Sequence, residues 1–120
     1  MPERVLVVGA GIAGLCVALA LAPTGRRVTL LDRDPPPPPD PDLAFVEWKR
    51  QGVAQLRHSH AFVARLRNIL RDHHPGLLSE LLAAGANEIP FEALLTDVHR
   101  RTYAPRPEDA DLVALACRRT

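Results

Sequence analysis

Aromatic side chains are scarce: three Phe, one Tyr and one Trp make up 4% of the chain. Surfaces that stack nucleic-acid bases need more of them. Charge of one sign is lacking too. Fifteen basic and 14 acidic residues leave a formal net charge of +1, and the basic ones are spread along the chain. No footprint for a polyanion follows, and no nucleic-acid partner is expected. Lysine is nearly absent, with Lys49 standing against 14 arginines. No arginine cluster has evident bidentate partners, so the ratio reads as a coding bias. Cysteine is limited to Cys16 and Cys117, far apart and without CxxC spacing. That argues against a disulfide framework or a zinc site and for a reduced, cytoplasmic setting. At 120 residues the chain is at most one modest domain, and its 47% apolar content is ordinary for a globular core.

One feature is long where the others are short. Residues 5–22 are an unbroken run of 18 apolar or glycine residues. By length this is a candidate membrane span or signal peptide, and Ala20-Leu21-Ala22 resembles a small-residue cleavage site. Glu3 beside Arg4 leaves no positive leading region, however, and three glycines interrupt the run at a spacing with another explanation. No membrane span is expected.

Residues 4–8 read as a strand of continuous apolarity, the pattern of a strand buried on both faces of a parallel sheet. Gly9-Ala10-Gly11-Ile12-Ala13-Gly14 forms a turn. Residues 12–22 read as a helix with Leu15, Ala18, Leu19 and Ala22 on one stripe, stopped by Pro23-Thr24-Gly25. Residues 27–31 are a second strand, parallel to the first because a helix crosses between them. Six prolines in residues 35–41 make a stiff extended loop. Beyond it the spacing predicts helices over 43–50, 60–72 (capped by Ser59, with Phe62, Leu66, Ile69 and Leu70 on one stripe), 77–84 and 109–119. Arg65, Arg67 and Arg71 form a solvated face, and Gly85 supplies a left-handed cap. Residues 87–103 are ambiguous, and Pro90 argues against a central strand.

The G-x-G-x-x-G turn stands between a strand and a helix, followed by a second strand and an acid at its end. Gly9 permits the tight turn. Gly11 lets a pyrophosphate approach the backbone, and Gly14 lets the helix pack on the sheet. Amides of the first helical turn, at Ile12 and Ala13, meet the phosphates at the positive end of the helix dipole. Asp32, 18 residues after Gly14, can accept hydrogen bonds from an adenosine ribose and would repel a 2′-phosphate. A glycine turn serving only packing is the bland alternative, and the spacing alone does not choose between dinucleotides.

These residues resemble a family. Residues 7–34, VVGAGIAGLCVALALAPTGRRVTLLDRD, are similar to the N-terminal fingerprint of FAD-dependent oxidoreductases of the aromatic-hydroxylase and geranylgeranyl-reductase type. In that group the acid is commonly Glu followed by Arg, and Asp32-Arg33 stands here. Residues 52–61, GVAQLRHSHA, resemble the G-V-P-Q-x-R-x-x-H segment of related flavoproteins, with Ala54 in place of the proline. The resemblance implies that FAD is the cofactor, that Arg57 contacts it with Gln55 and His60 nearby, and that NAD(P)H is the reductant in a complete relative. It covers the front part of a longer family, without the later Gly-Asp motif and flavin wall. A truncated gene product, with a missing C-terminal part or a complementary chain, is therefore expected.

The other candidates are weaker. His58 and His60 lack a third ligand, so no metal site is expected. Ser59 sits between histidines without an oriented base, and no catalytic residue can be named. The expectation is an α/β fold: a Rossmann-like βαβ unit at 1–34, a proline-rich loop at 35–42, and a mostly helical remainder at 43–120, together an incomplete FAD-binding domain. Its cofactor residues are Gly9, Gly11, Ile12, Ala13, Gly14, Asp32, Arg33 and Arg57. The function implied is the FAD-binding portion of a monooxygenase or reductase, inactive alone. The alternatives are a non-catalytic fragment and an NAD-binding dehydrogenase module.

Overall fold

Where β-branched and leucine residues run without a break, the backbone extends; where alanine and leucine follow a glycine turn, it coils. The computed structural model describes residues 1–53, 55–58 and 60–118. The Ser59 cap, the Ala54 substitution and Arg119 lie outside them. The chain divides into two compact units, Met1–Ala54 and Gln55–Thr120.

The first unit is built on β1 (Arg4–Val8), α1 (Ile12–Leu21) and β2 (Arg27–Leu31). The strands pair in parallel, with Arg4 opposite Arg27 and Val8 opposite Leu31. The 18-residue apolar run thus divides into strand, turn and a ten-residue helix. No helix among the described residues is long and apolar enough to cross a membrane. After α1 the chain tightens into a 3₁₀ turn at Ala22–Thr24 and reverses at Gly25, whose φ of 73° is left-handed.

Burial in this unit differs from the expectation of two covered faces. Val5, Val7, Val28 and Leu30 are half-buried, whereas Leu6, Val8 and Leu31 are 61%, 75% and 54% exposed. Alternate residues of a strand face opposite sides, so one side of the ribbon is covered and the other is open. Helix α1 differs likewise. Ala18 and Leu19 are half-buried, but Leu15 is 49% exposed and Ala22 is also exposed. Its apolar residues go all the way round, a pattern of helices enclosed on every side.

Past the proline loop comes α2 (Pro41–Glu47), which begins earlier than the 43–50 expected. Asp40 explains the start: its carboxylate accepts from the Asp42 and Leu43 amides at 2.8 and 3.0 Å, and Pro41 needs no partner in the first turn. The indole of Trp48 donates to the Pro35 carbonyl at 2.9 Å, tying the end of α2 to the start of the proline loop.

In the second unit the helices are α3 (Ala64–His73), α4 (Pro75–Ala83) and α5 (Asp97–Thr102). The strands are β3 (His60–Phe62), β4 (Asn87–Pro90) and β5 (Val113–Cys117). They form an antiparallel sheet in the order β3-β5-β4. Two expectations are corrected here. The helix expected over 60–72 starts at Ala64, because residues 60–62 pair with β5. The helix expected over 109–119 is a 3₁₀ turn at Pro107–Asp111 followed by β5. Alanine and leucine favour a helix locally, but β5 lies between two strands, with Leu115 fully buried, and tertiary pairing overrides propensity. Pro90 is accommodated because it ends an edge strand. Gly85, with φ of 100°, follows α4 as the left-handed residue expected.

On the arginine face of α3, Arg65 is exposed, while Arg67 and Arg71 also form ion pairs. Arg67 Nε donates to Glu88 at 2.6 Å, and Arg71 bonds both Asp72 and Asp111. On the stripe, Leu66 is half-buried and Leu70 buried, while Ile69 is 38% exposed.

Tyr103 packs edge-on against Phe91 and donates its hydroxyl to Asp109 Oδ2 at 2.6 Å. That bond, with burial and the nearby negative charge, pushes the phenol up to about 12. The raised value means that the contribution of the neutral phenol to stability is complete below the ordinary value of 10 and is lost as pH rises through about 12. Tyr103 is the only tyrosine, so an ultraviolet titration of tyrosinate absorbance reads it directly. The expected midpoint is about 12, and Asp109→Asn should bring it back toward 10. A wild-type midpoint at 10 would show that the Asp109 bond does not form.

Candidate functional site

Strand β1 ends at Val8 and β2 at Leu31, so the turn after one and the acid after the other meet at the carboxyl end of the ribbon. Open α/β sheets bind ligands there. Gly9 has φ of 103°, a conformation that side chains rarely adopt, and its amide donates to the Leu31 carbonyl at 2.7 Å. Gly14 faces back onto this turn. A Cβ built on Gly14 would overlap the Gly9 carbonyl oxygen and reach within 3.0 Å of its carbon. Gly11 is different: a Cβ there meets nothing within 4 Å, so its absence leaves open space beside the backbone. Helix α1 begins immediately after Gly11, and no side chain caps it. The Ile12 and Ala13 amides are therefore in the first turn, at the positive end of the dipole.

Asp32 joins the turn to the second strand. Its Oδ2 accepts from the Ala10 amide at 2.5 Å and its Oδ1 from the Asp34 amide at 2.8 Å. The Arg50 guanidinium adds Nη2 to Asp32 Oδ2 at 2.7 Å, Nη1 to the Ala10 carbonyl at 3.1 Å and Nε to Asp34 Oδ2 at 3.4 Å. It also lies over the Trp48 ring, 5.1 Å from the centroid. The Asp34 amide, then the Ala10 amide, then Arg50 hold the Asp32 carboxyl below its usual range, while partial burial acts the other way.

These residues border a cavity of about 560 Å³ lined by Gly9, Gly11, Asp32, Arg33, Arg50 and Gly52, with Val8, Leu31, Asp34 and Val53 completing the wall. Arg33 is largely exposed and points along this wall, where a Cβ on Gly52 would meet its Nη2 at 3.1 Å. Of the eight residues expected at a cofactor site, Gly9, Gly11, Asp32 and Arg33 line the cavity. Ile12, Ala13 and Gly14 form the adjoining helix start. Arg57 belongs to the second unit. There His60 Nε2 donates to the Gln55 carbonyl at 2.9 Å, which requires the proton on that nitrogen. Among the described residues no group of three or more His, Cys, Asp or Glu side chains could hold a metal.

Arg50, Trp48 and Asp34 are the residues that motif reading passed over. Two carboxylates closing one strand, at Asp32 and Asp34, call for a cation, and Arg50 is a basic residue close to Gly52. That charge argument could have found it.

Residues 4–39 match the family model described as FAD dependent oxidoreductase. The match supports an N-terminal, FAD-binding region of that kind, on the α/β unit described above. The chain is also 36% identical over 83 residues to Protein Rv3254 of Mycobacterium tuberculosis. The aligned stretch is 69% of this chain and 16% of that protein, so the chain spans a small part of its relative. No solved structure matches the chain.

Proposed function

We propose that this chain holds the adenosine diphosphate end of FAD and serves as the front part of a flavin-dependent oxidoreductase, of monooxygenase or reductase type. The observation that carries the reading is the bond from the Ala10 amide to Asp32, which fixes the glycine turn and the acid as one wall of one cavity. Open space at Gly11 suits a pyrophosphate against the backbone. In this reading the Ile12 and Ala13 amides face the phosphates, Gly9 and Gly14 keep the turn tight, and Asp32 accepts from the ribose. Arg33 adds a cationic contact. Bound FAD would supply redox chemistry, with NAD(P)H as its reductant. This chain's residues bind and orient one end of it.

The reading also places the chain in a larger assembly, with further polypeptide covering the open side of the β1–β2 ribbon. Exposed Leu6, Val8 and Leu31 and the all-round apolar α1 support that extension. The cysteines are both free, in keeping with a cytoplasmic setting. Titrating FAD into the purified chain tests the proposal. Saturable quenching of flavin fluorescence is expected. Binding of NAD without binding of FAD would sink it and favour a dehydrogenase-type module.

A further inference from the structure

Asp32 is already heavily used. A carboxylate offers about four lone-pair sites, two on each oxygen. Oδ2 accepts from the Ala10 amide and from Arg50 Nη2, and Oδ1 accepts from the Asp34 amide. Among the described residues, one site remains, on Oδ1. A ribose presents two adjacent hydroxyls, and holding both takes two acceptors. The amide bonds belong to the backbone of the turn and cannot leave without opening it. Arg50 can yield its bond to Asp32, because three other contacts remain to hold it: Nη1 donates to the Ala10 carbonyl at 3.1 Å, Nε lies near Asp34 Oδ2, and the guanidinium lies over Trp48.

We infer that Arg50 is a specificity-determining residue of the adenosine seat, occupying the Asp32 acceptor that the second ribose hydroxyl needs and yielding it only by exchange. The inference rests on the reading of Asp32 as the ribose acceptor. Its consequence is a weak preference for ribose. A nucleoside with one hydroxyl uses the vacant Oδ1 site and leaves Arg50 in place. A nucleoside with two must give up an ion pair to gain a hydrogen bond, and the two changes nearly cancel.

The test is isothermal titration of adenosine and 2′-deoxyadenosine into wild-type protein and Arg50→Met. The wild type should bind the two nucleosides within about twofold of each other. In Arg50→Met, adenosine should bind about tenfold tighter than to wild type, and 2′-deoxyadenosine should be unchanged. A wild-type preference for adenosine above about tenfold overturns the inference without reference to the variant, whatever its folding. Equal or weaker adenosine binding by a folded Arg50→Met overturns it too. Either result in a protein that still quenches flavin fluorescence leaves the FAD reading standing. A wild type that binds neither nucleoside nor FAD overturns both.

Discussion

Gly14→Ala should cost the first unit about 3 kcal/mol and remove FAD binding, the largest effect expected of any single methyl group in this chain. The added carbon would occupy the position of the Gly9 carbonyl oxygen. Relief requires either α1 to move off the sheet or the turn to open, and the turn is pinned by the Gly9 amide on Leu31. Gly11→Ala is the control. A methyl there meets nothing within 4 Å, so the thermal midpoint should hold while FAD affinity falls more than about tenfold, because the methyl fills the space assigned to the pyrophosphate. Thermal unfolding and flavin quenching on both variants separate the roles. Loss of stability in Gly11→Ala, or none in Gly14→Ala, would show that the close approach is misplaced.

Asp32→Asn should lower FAD affinity about a hundredfold, since it removes the charge that strengthens the ribose bonds and leaves Arg50 with one carboxylate partner fewer. The pH dependence follows from the lowered carboxyl. With the folded value below the ordinary 3.8, the contribution of Asp32 to stability is complete above that ordinary value and is lost as pH falls through the folded one. Wild-type protein should therefore lose first-unit stability on acidification below about pH 4 by more than Asp32→Asn does. Urea unfolding followed by Trp48 fluorescence reads the difference, because Trp48 stacks against Arg50 in the same wall. Parallel acid limbs in the two proteins would show that Asp32 is not the group responsible.

How much of this could be read from the sequence depends on how local each feature is. Strand β1, the glycine turn, α1, β2 and Asp32 were legible because each is specified within a few residues and their order admits one handed connection. The partner of Asp32 was not. Arg50 comes 18 residues later, across a proline loop, and only the demand of two carboxylates at Asp32 and Asp34 for a cation points to it. Strand β5 failed for the same reason. Val113 to Cys117 carry helix-favouring residues, and only β3 and β4 on either side make them a strand. The open face of the β1–β2 ribbon was illegible as well, since a continuous apolar run states what a strand requires and not whether it is met.

That open face has a consequence in time. Every element of the βαβ unit lies between Arg4 and Leu31, so its contacts close over short stretches of chain. Its two strands nevertheless pair in parallel across a crossover, and such pairing is slow and leaves apolar surface exposed while it proceeds. On a translating ribosome the unit would emerge before the rest of the chain, with Leu6, Val8 and Leu31 exposed. The same surface is then a site for chaperones and for self-association. The yield of folded protein would depend on how soon that face is covered.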